Sequence, residues 1–190
     1  MLRGDRRLSD WTPVTDEALL AKWPQSCRGR VLMADLHLLG GMGEPVAEQD
    51  RPDLYLNGKR QTLARWPNSG FTRAGRAVGT TDLPPTWKGT HGTKEGILEY
   101  VDRRIDRWAD EAEPCAFGYW FWDWSEQYHR INIPSPAAWR FHIDGKYHPY
   151  GYGDSCRYYG LNLLCELDSA GEYYIDRCSR KLRSEEHTSE

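Results

Sequence analysis

Apolar positions along this chain recur mostly in short alternating runs broken by Gly, Pro, Asn and Asp, a pattern that predicts strands and turns with little helix. The exception near the start is Thr15 to Pro24. There an N-cap type residue precedes two acids and an Ala-Leu-Leu run stops before a proline, which predicts a short helix. Residues 31–36 read as a strand and 40–45 as a Gly-rich loop. In residues 54–64 two strand-like runs are joined by Asn57-Gly58, residues that tolerate the positive φ of a type I′ turn, so a hairpin is expected. Residues 67–96 are rich in Gly, Pro and Thr and read as loops and short edges with few buried contacts. Val101, Ile105, Trp108 and Ala112 fall on one helical face, although Ile97 to Val101 also fits a strand, and the boundary stays open. An aromatic strand is expected from Phe117 to Trp124, a turn at Asp144-Gly145, and a strand at residues 161–164 leading to another at 172–176. Together these elements predict a mainly β fold, sandwich or barrel-like, with hairpins and one or two short helices.

Charge adds mostly exclusions. With 25 Lys and Arg against 28 Asp and Glu in 190 residues, the balance disfavours electrostatic attraction to nucleic acid or to an anionic membrane. No apolar window is long enough for a membrane helix, and no apolar stretch follows the basic start as a secretory signal requires. Cys27, Cys115, Cys156, Cys165 and Cys178 are odd in number and lack zinc-site spacing, so they read as scattered thiols. The last eight residues, 183–190, resemble the translation of a common sequencing adapter and are expected to be a disordered artefact. Without their one Arg and three Glu, 24 positive charges face 25 negative ones.

Nine Trp and eleven Tyr against four Phe shift attention to aromatics that carry a polar atom. In an extended Gly118–Trp124 segment, Trp120, Trp122 and Trp124 would share one face as a ladder of indoles. Flat rings of that kind pack on the axial C–H groups of sugars, and Asp123, Glu126 and Tyr128 could meet the hydroxyls. The same ladder could instead fill the core of a small β domain, the commoner fate of large aromatics. Glycoside hydrolysis needs two carboxylates, and Asp123 with Glu126, or Glu166 with Asp168, are candidates by local spacing alone. A two-residue turn at Asp144-Gly145 would set His142 against Tyr147 and His148 against Phe141, on opposite faces. His37, His91 and His129 have no partner at ligand spacing, so no metal site and no cofactor is expected. Serine-hydrolase elbows and phosphate-binding loops are absent from the sequence.

Several phrases carry a resemblance when taken in order: residues 52–68, Gly118 to Trp124, Tyr150-Gly151-Tyr152, residues 161–164 and residues 166–177. Their order and spacing resemble large bacterial right-handed parallel β-helix proteins of the pectate-lyase-like class, including a glycoside hydrolase family with α-L-fucosidase and xylanase members. The resemblance implies that residues 1–10 are the remnant of a β-helix coil, 11–175 a β-rich insertion domain, and 176–182 the start of the return to the β-helix. It also implies a secreted or periplasmic parent acting on polysaccharide or oligosaccharide. The chain would then be a fragment whose insertion domain packs on the missing β-helix and lines a substrate groove. No catalytic residue is transferred, because no motif carrying one is present. Ser169-Ala170 and Cys178-Ser179-Arg180 depart from the family pattern. A freestanding carbohydrate-binding module and a purely structural insertion domain are the alternatives, separated by whether the three indoles are exposed.

Overall fold

The structure, a computed structural model, describes residues 7–39, 53–81, 83–85, 89–144 and 148–185. Along the chain the strands are β1 (Thr12–Pro13), β2 (Leu32–Asp35), β3 (Tyr55–Leu56), β4 (Lys59–Arg60), β5 (Thr62–Leu63), β6 (Arg65–Trp66), β7 (Thr72–Val78), β8 (Gly92–Thr93), β9 (Ile97–Tyr100), β10 (Cys115–Tyr119), β11 (Glu126–Asn132), β12 (Arg140–Asp144), β13 (Tyr152–Gly153), β14 (Arg157–Leu161), β15 (Glu172–Asp176) and β16 (Lys181–Ser184). They fall into two compact units, one formed by the chain up to Ala64 together with Leu164 onward, the other by Arg65–Leu163.

In the first unit a five-stranded sheet runs in the order β1, β2, β16, β15, β5. Its β15 is covered on both faces: Tyr174 packs with Trp23, Val31 and Leu167, while Tyr173 and Ile175 pack with Leu36 and Leu182. The buried Trp23 indole donates to the Leu164 carbonyl at 2.7 Å. The short helix α1 (Glu17–Leu20) forms as expected, but its cap is Asp16 rather than Thr15, accepting from the Ala18 and Leu19 N–H groups at 2.9 and 3.2 Å. The Asn57-Gly58 hairpin joins β3 to β4, with Asn57 at φ 49 and Gly58 at φ 78. β16 carries regular pairing into Arg183 and Ser184, the first residues of the octapeptide expected to be disordered, because they meet Met33 and Leu32 on β2 and Tyr174 and Tyr173 on β15. Residues 186–190 and the loop expected at 40–45 lie outside the described residues. The described strand pairs are antiparallel except β5 with β15, and no coil of a parallel β-helix is found among the described residues.

The second unit is a closed six-stranded antiparallel barrel, β10, β11, β12, β9, β7 and β14, with β14 pairing back to β10. Closure gives every barrel strand a neighbour on each side, which removes the free edges of an open sheet. The strand β7 was expected to be loop. A register shift between Ala74 and Ala77 explains the difference: a bulge spaces the two buried alanines three apart and erases the period-two pattern. The open boundary near residue 100 resolves as strand β9 followed by a 3₁₀ helix, Arg103–Asp110, capped by Asp102. Ile105 and Trp108 face inward on that helix, and Val101 is exposed instead of joining them. Trp108 fits because Gly160 has no side chain, since a Cβ there would sit 2.4 Å from the indole. The expected strand at 161–164 is also corrected. β14 ends at Leu161, Asn162 turns into the left-handed region at φ 55, and Leu164–Glu166 is a 3₁₀ turn.

Candidate functional site

The chemistry-bearing segment is the connection from β10 to β11. Within the barrel strands side chains alternate, so Ala116 and Gly118 point inward and Phe117 and Tyr119 outward. Trp120 continues inward and is fully buried. Its indole N–H donates to the Gln127 carbonyl at 2.8 Å, and its ring stacks on Tyr158 at 6.1 Å and 23°. After Trp120 the chain leaves the strand and turns, with the Ser125 N–H donating to the Trp122 carbonyl at 3.1 Å. The expected aromatic strand through Trp124 therefore stops at Tyr119, and the three indoles do not form one ladder. Alternation holds only for extended backbone, and the turn replaces it after Trp120.

What the turn does instead is stack two indoles outside the barrel. Trp122 and Trp124 have centroids 6.1 Å apart and planes 19° apart, and Trp124 is 62% exposed. The edge of Tyr150 meets Trp124 at 5.0 Å and 73°. Beside this platform lies a cleft of about 370 Å³, lined by Tyr119, Trp122, Asp123, Trp124, Asp154 and Arg157 among others. The Arg157 guanidinium lies 3.9 Å over the Tyr119 ring and 3.4 Å from the Asp123 carboxylate. Across the cleft, Asp154 accepts the Ala77 N–H at 2.7 Å and lies 3.3 Å from His91 Nδ1.

The other sequence candidates are dispersed. Glu126 is exposed and sits opposite Tyr119 in the β10–β11 ladder. Tyr128 lies further along the outer face, 4.6 Å from Phe117, in an aromatic group that includes Tyr159 and Phe71. Arg65 caps that group 3.6 Å over Tyr159. Asp123 and Glu126 are both exposed, whereas a carboxyl that serves as a general acid near neutrality is normally buried. The second pair belongs to the other unit. There Glu166 is buried in the 3₁₀ turn, and the Asp168 N–H donates to Glu172 Oε2 at 3.1 Å. A second and larger cleft of about 570 Å³ opens beside Trp108, but its rim is paired internally, Arg130 with Glu113 and Asn132 with Asp144.

Two histidines that the sequence reading set aside as metal ligands approach each other in the structure. His129, on β11, is completely buried with neither ring nitrogen hydrogen-bonded, and its centroid lies 6.3 Å from that of His148. Burial, and secondly the neighbouring His148, pushes the His129 imidazole down to about 4. Burial also lowers His148, opposed by the Gly151 carbonyl. His148 stands in a turn closed by the Gly151 N–H on its own carbonyl at 2.9 Å, not in the second strand of an Asp144-Gly145 hairpin. The expected facing of His148 with Phe141 is thus not formed, and Gly145 and Tyr147 lie outside the described residues. His129 on β11 and His148 in the turn before β13 are nineteen residues apart, which leaves no local spacing signal. Among the described residues no three His, Cys, Asp or Glu side chains converge as a metal site would need. Cys27, Cys115, Cys156 and Cys165 are buried and Cys178 exposed; burial pushes the Cys156 thiol up to about 12, which keeps it unreactive.

The fold and cleft define a mainly β protein built on a closed six-stranded barrel with an exposed aromatic platform at one turn. No family model matches the chain, and no curated protein matches it. Among solved structures, a chain described as "Glycoside hydrolase" is similar over 97% of this chain, with a TM-score of 0.60 and 19% identity. At that identity the likeness is one of fold. The chain spans 29% of the length of that glycoside hydrolase.

Proposed function

We propose that the chain is part of a larger carbohydrate-active protein, in which it helps wall a polysaccharide groove and is not catalytic alone. The observation that carries this reading is the stacked Trp122–Trp124 pair, with Trp124 exposed and Trp122 half-buried, beside a cleft whose lining includes Asp123 and Arg157. Apolar sugar faces pack on indoles while a carboxylate and a guanidinium exchange hydrogen bonds with hydroxyls. The fold likeness to part of a glycoside hydrolase supports the same reading, and so do the phrases resembling β-helix enzymes. The parent would be a secreted or periplasmic right-handed β-helix glycoside hydrolase, with its catalytic carboxylates on the solenoid. Of the six residues first considered, Trp122, Trp124 and Asp123 are the sugar contacts in this proposal; Trp120 is core, and Glu126 and Tyr128 are peripheral.

A binding-module role is favoured over a purely structural one by the exposure of Trp124. The test is affinity electrophoresis of the chain in soluble xylan and in fucosylated xyloglucan, with product analysis on the same mixtures. Retardation without hydrolysis is expected. Absence of retardation in both overturns the sugar reading, and hydrolysis by this chain overturns the non-catalytic one.

A further inference from the structure

The buried His148 touches both sides of the exposed platform. On one side its Nε2 lies 3.3 Å from Ser125 Oγ, and Ser125 closes the turn that carries Trp122 and Trp124. On the other, the turn that begins at His148 presents Tyr150, whose ring contacts both the imidazole at 5.8 Å and Trp124 at 5.0 Å. The ring is held from beneath as well. Its Nδ1 is 3.1 Å from the Gly151 carbonyl, its backbone N–H donates to the Tyr152 hydroxyl at 3.0 Å, and His129 lies edge-on below.

Nδ1 lies between an acceptor and a donor, the Gly151 carbonyl at 3.1 Å and the Tyr150 N–H, which donates to it at 3.4 Å, and Nε2 pairs with the Ser125 hydroxyl in the sense the tautomer sets. His148 is only 1% exposed, so its own orientation is locked by packing, while Trp124 and Tyr150 are 62% and 42% exposed. A stacked pair in a turn loses rotamer freedom only if something rigid holds the turn.

We propose that His148 is a positioning residue: through Ser125 and through Tyr150 it holds the Trp122–Trp124 pair in its stacked, ligand-ready arrangement without touching the ligand itself. Its functional meaning rests on the sugar reading of the platform, but the positioning is measurable with no sugar present.

Ser125→Ala removes the hydroxyl, Ser125→Thr restores one, and His148→Asn can keep the Gly151 bond while losing reach to Ser125. Far-ultraviolet circular dichroism reports the exciton couplet of the stacked indoles, referenced to Trp124→Ala, which lacks it. The couplet is expected to weaken in Ser125→Ala and in His148→Asn and to return in Ser125→Thr. Retardation by xylan or fucosylated xyloglucan should weaken roughly two- to tenfold in the first two variants, the range that one hydrogen bond supports. A couplet unchanged in both Ser125→Ala and His148→Asn overturns the proposal. If the couplet responds while the unsubstituted protein binds neither glycan, the sugar reading fails and the positioning stands.

Discussion

Trp120 and Trp124 are four residues apart and have opposite fates. Trp120 is buried in the barrel with its N–H satisfied, whereas Trp124 leaves most of its surface in solvent and stacks on Trp122. The first indole is held by groups from β11, β13 and β14; the second is held by its own turn and by Tyr150. The contrast teaches that an aromatic-rich segment can be core and surface within one turn, and that residue type does not say which.

The largest effect expected from breaking this comparison is on the buried side. Trp120→Ala should lower stability by about 3–5 kcal/mol through lost burial and an unfilled cavity, read as a fall in the urea midpoint. A loss under about 1 kcal/mol would mean that the indole is not core.

Acid should act on the same interior. Burial holds the folded-state imidazoles of His129 and His148 below their ordinary 6.5, with His129 at about 4. Between pH 6.5 and about 4 the unfolded chain therefore binds more protons than the folded one. Stability is intact above that window and falls as pH drops through it, by the order of 3 kcal/mol for His129 alone. Thermal melts from pH 7.5 to 4 in His129→Leu should show a shallower decline than in the unsubstituted protein. Parallel declines would contradict the assignment.

On the exposed side the stability effect shrinks and the binding effect takes over. Trp124→Ala should change the melting free energy by less than about 1 kcal/mol, since the ring buries little. Retardation in xylan or xyloglucan should fall about tenfold or more, as it does when an aromatic anchor is truncated. Retained binding in Trp124→Ala would move the sugar surface elsewhere on the barrel.

Much of the local structure was legible along the chain. Asn57-Gly58 specifies its turn because both residues accept positive φ, and the helix at Glu17–Leu20 was legible although its cap is Asp16 and not Thr15. β15 was readable from its aromatic and β-branched run. The strand β7 was not, because its bulge and its alanines and glycine imitate a loop. The candidate site was half legible. Its indoles were visible as a cluster, but the split between Trp120 and the Trp122–Trp124 pair was not, nor was the approach of His129 to His148.

What the sequence by itself determined is the class of element and the chemistry available: short strands, tight turns, and an aromatic segment flanked by carboxylates. Such features depend on residues within about four positions of one another, where backbone sterics and side-chain caps act directly. Only the tertiary structure decided which strands close the barrel, which indole is enclosed, and which histidine meets the platform. Those outcomes turn on register between strands tens of residues apart, such as Phe117 against Tyr159, and a one-residue shift would exchange the inner and outer faces of the whole strand.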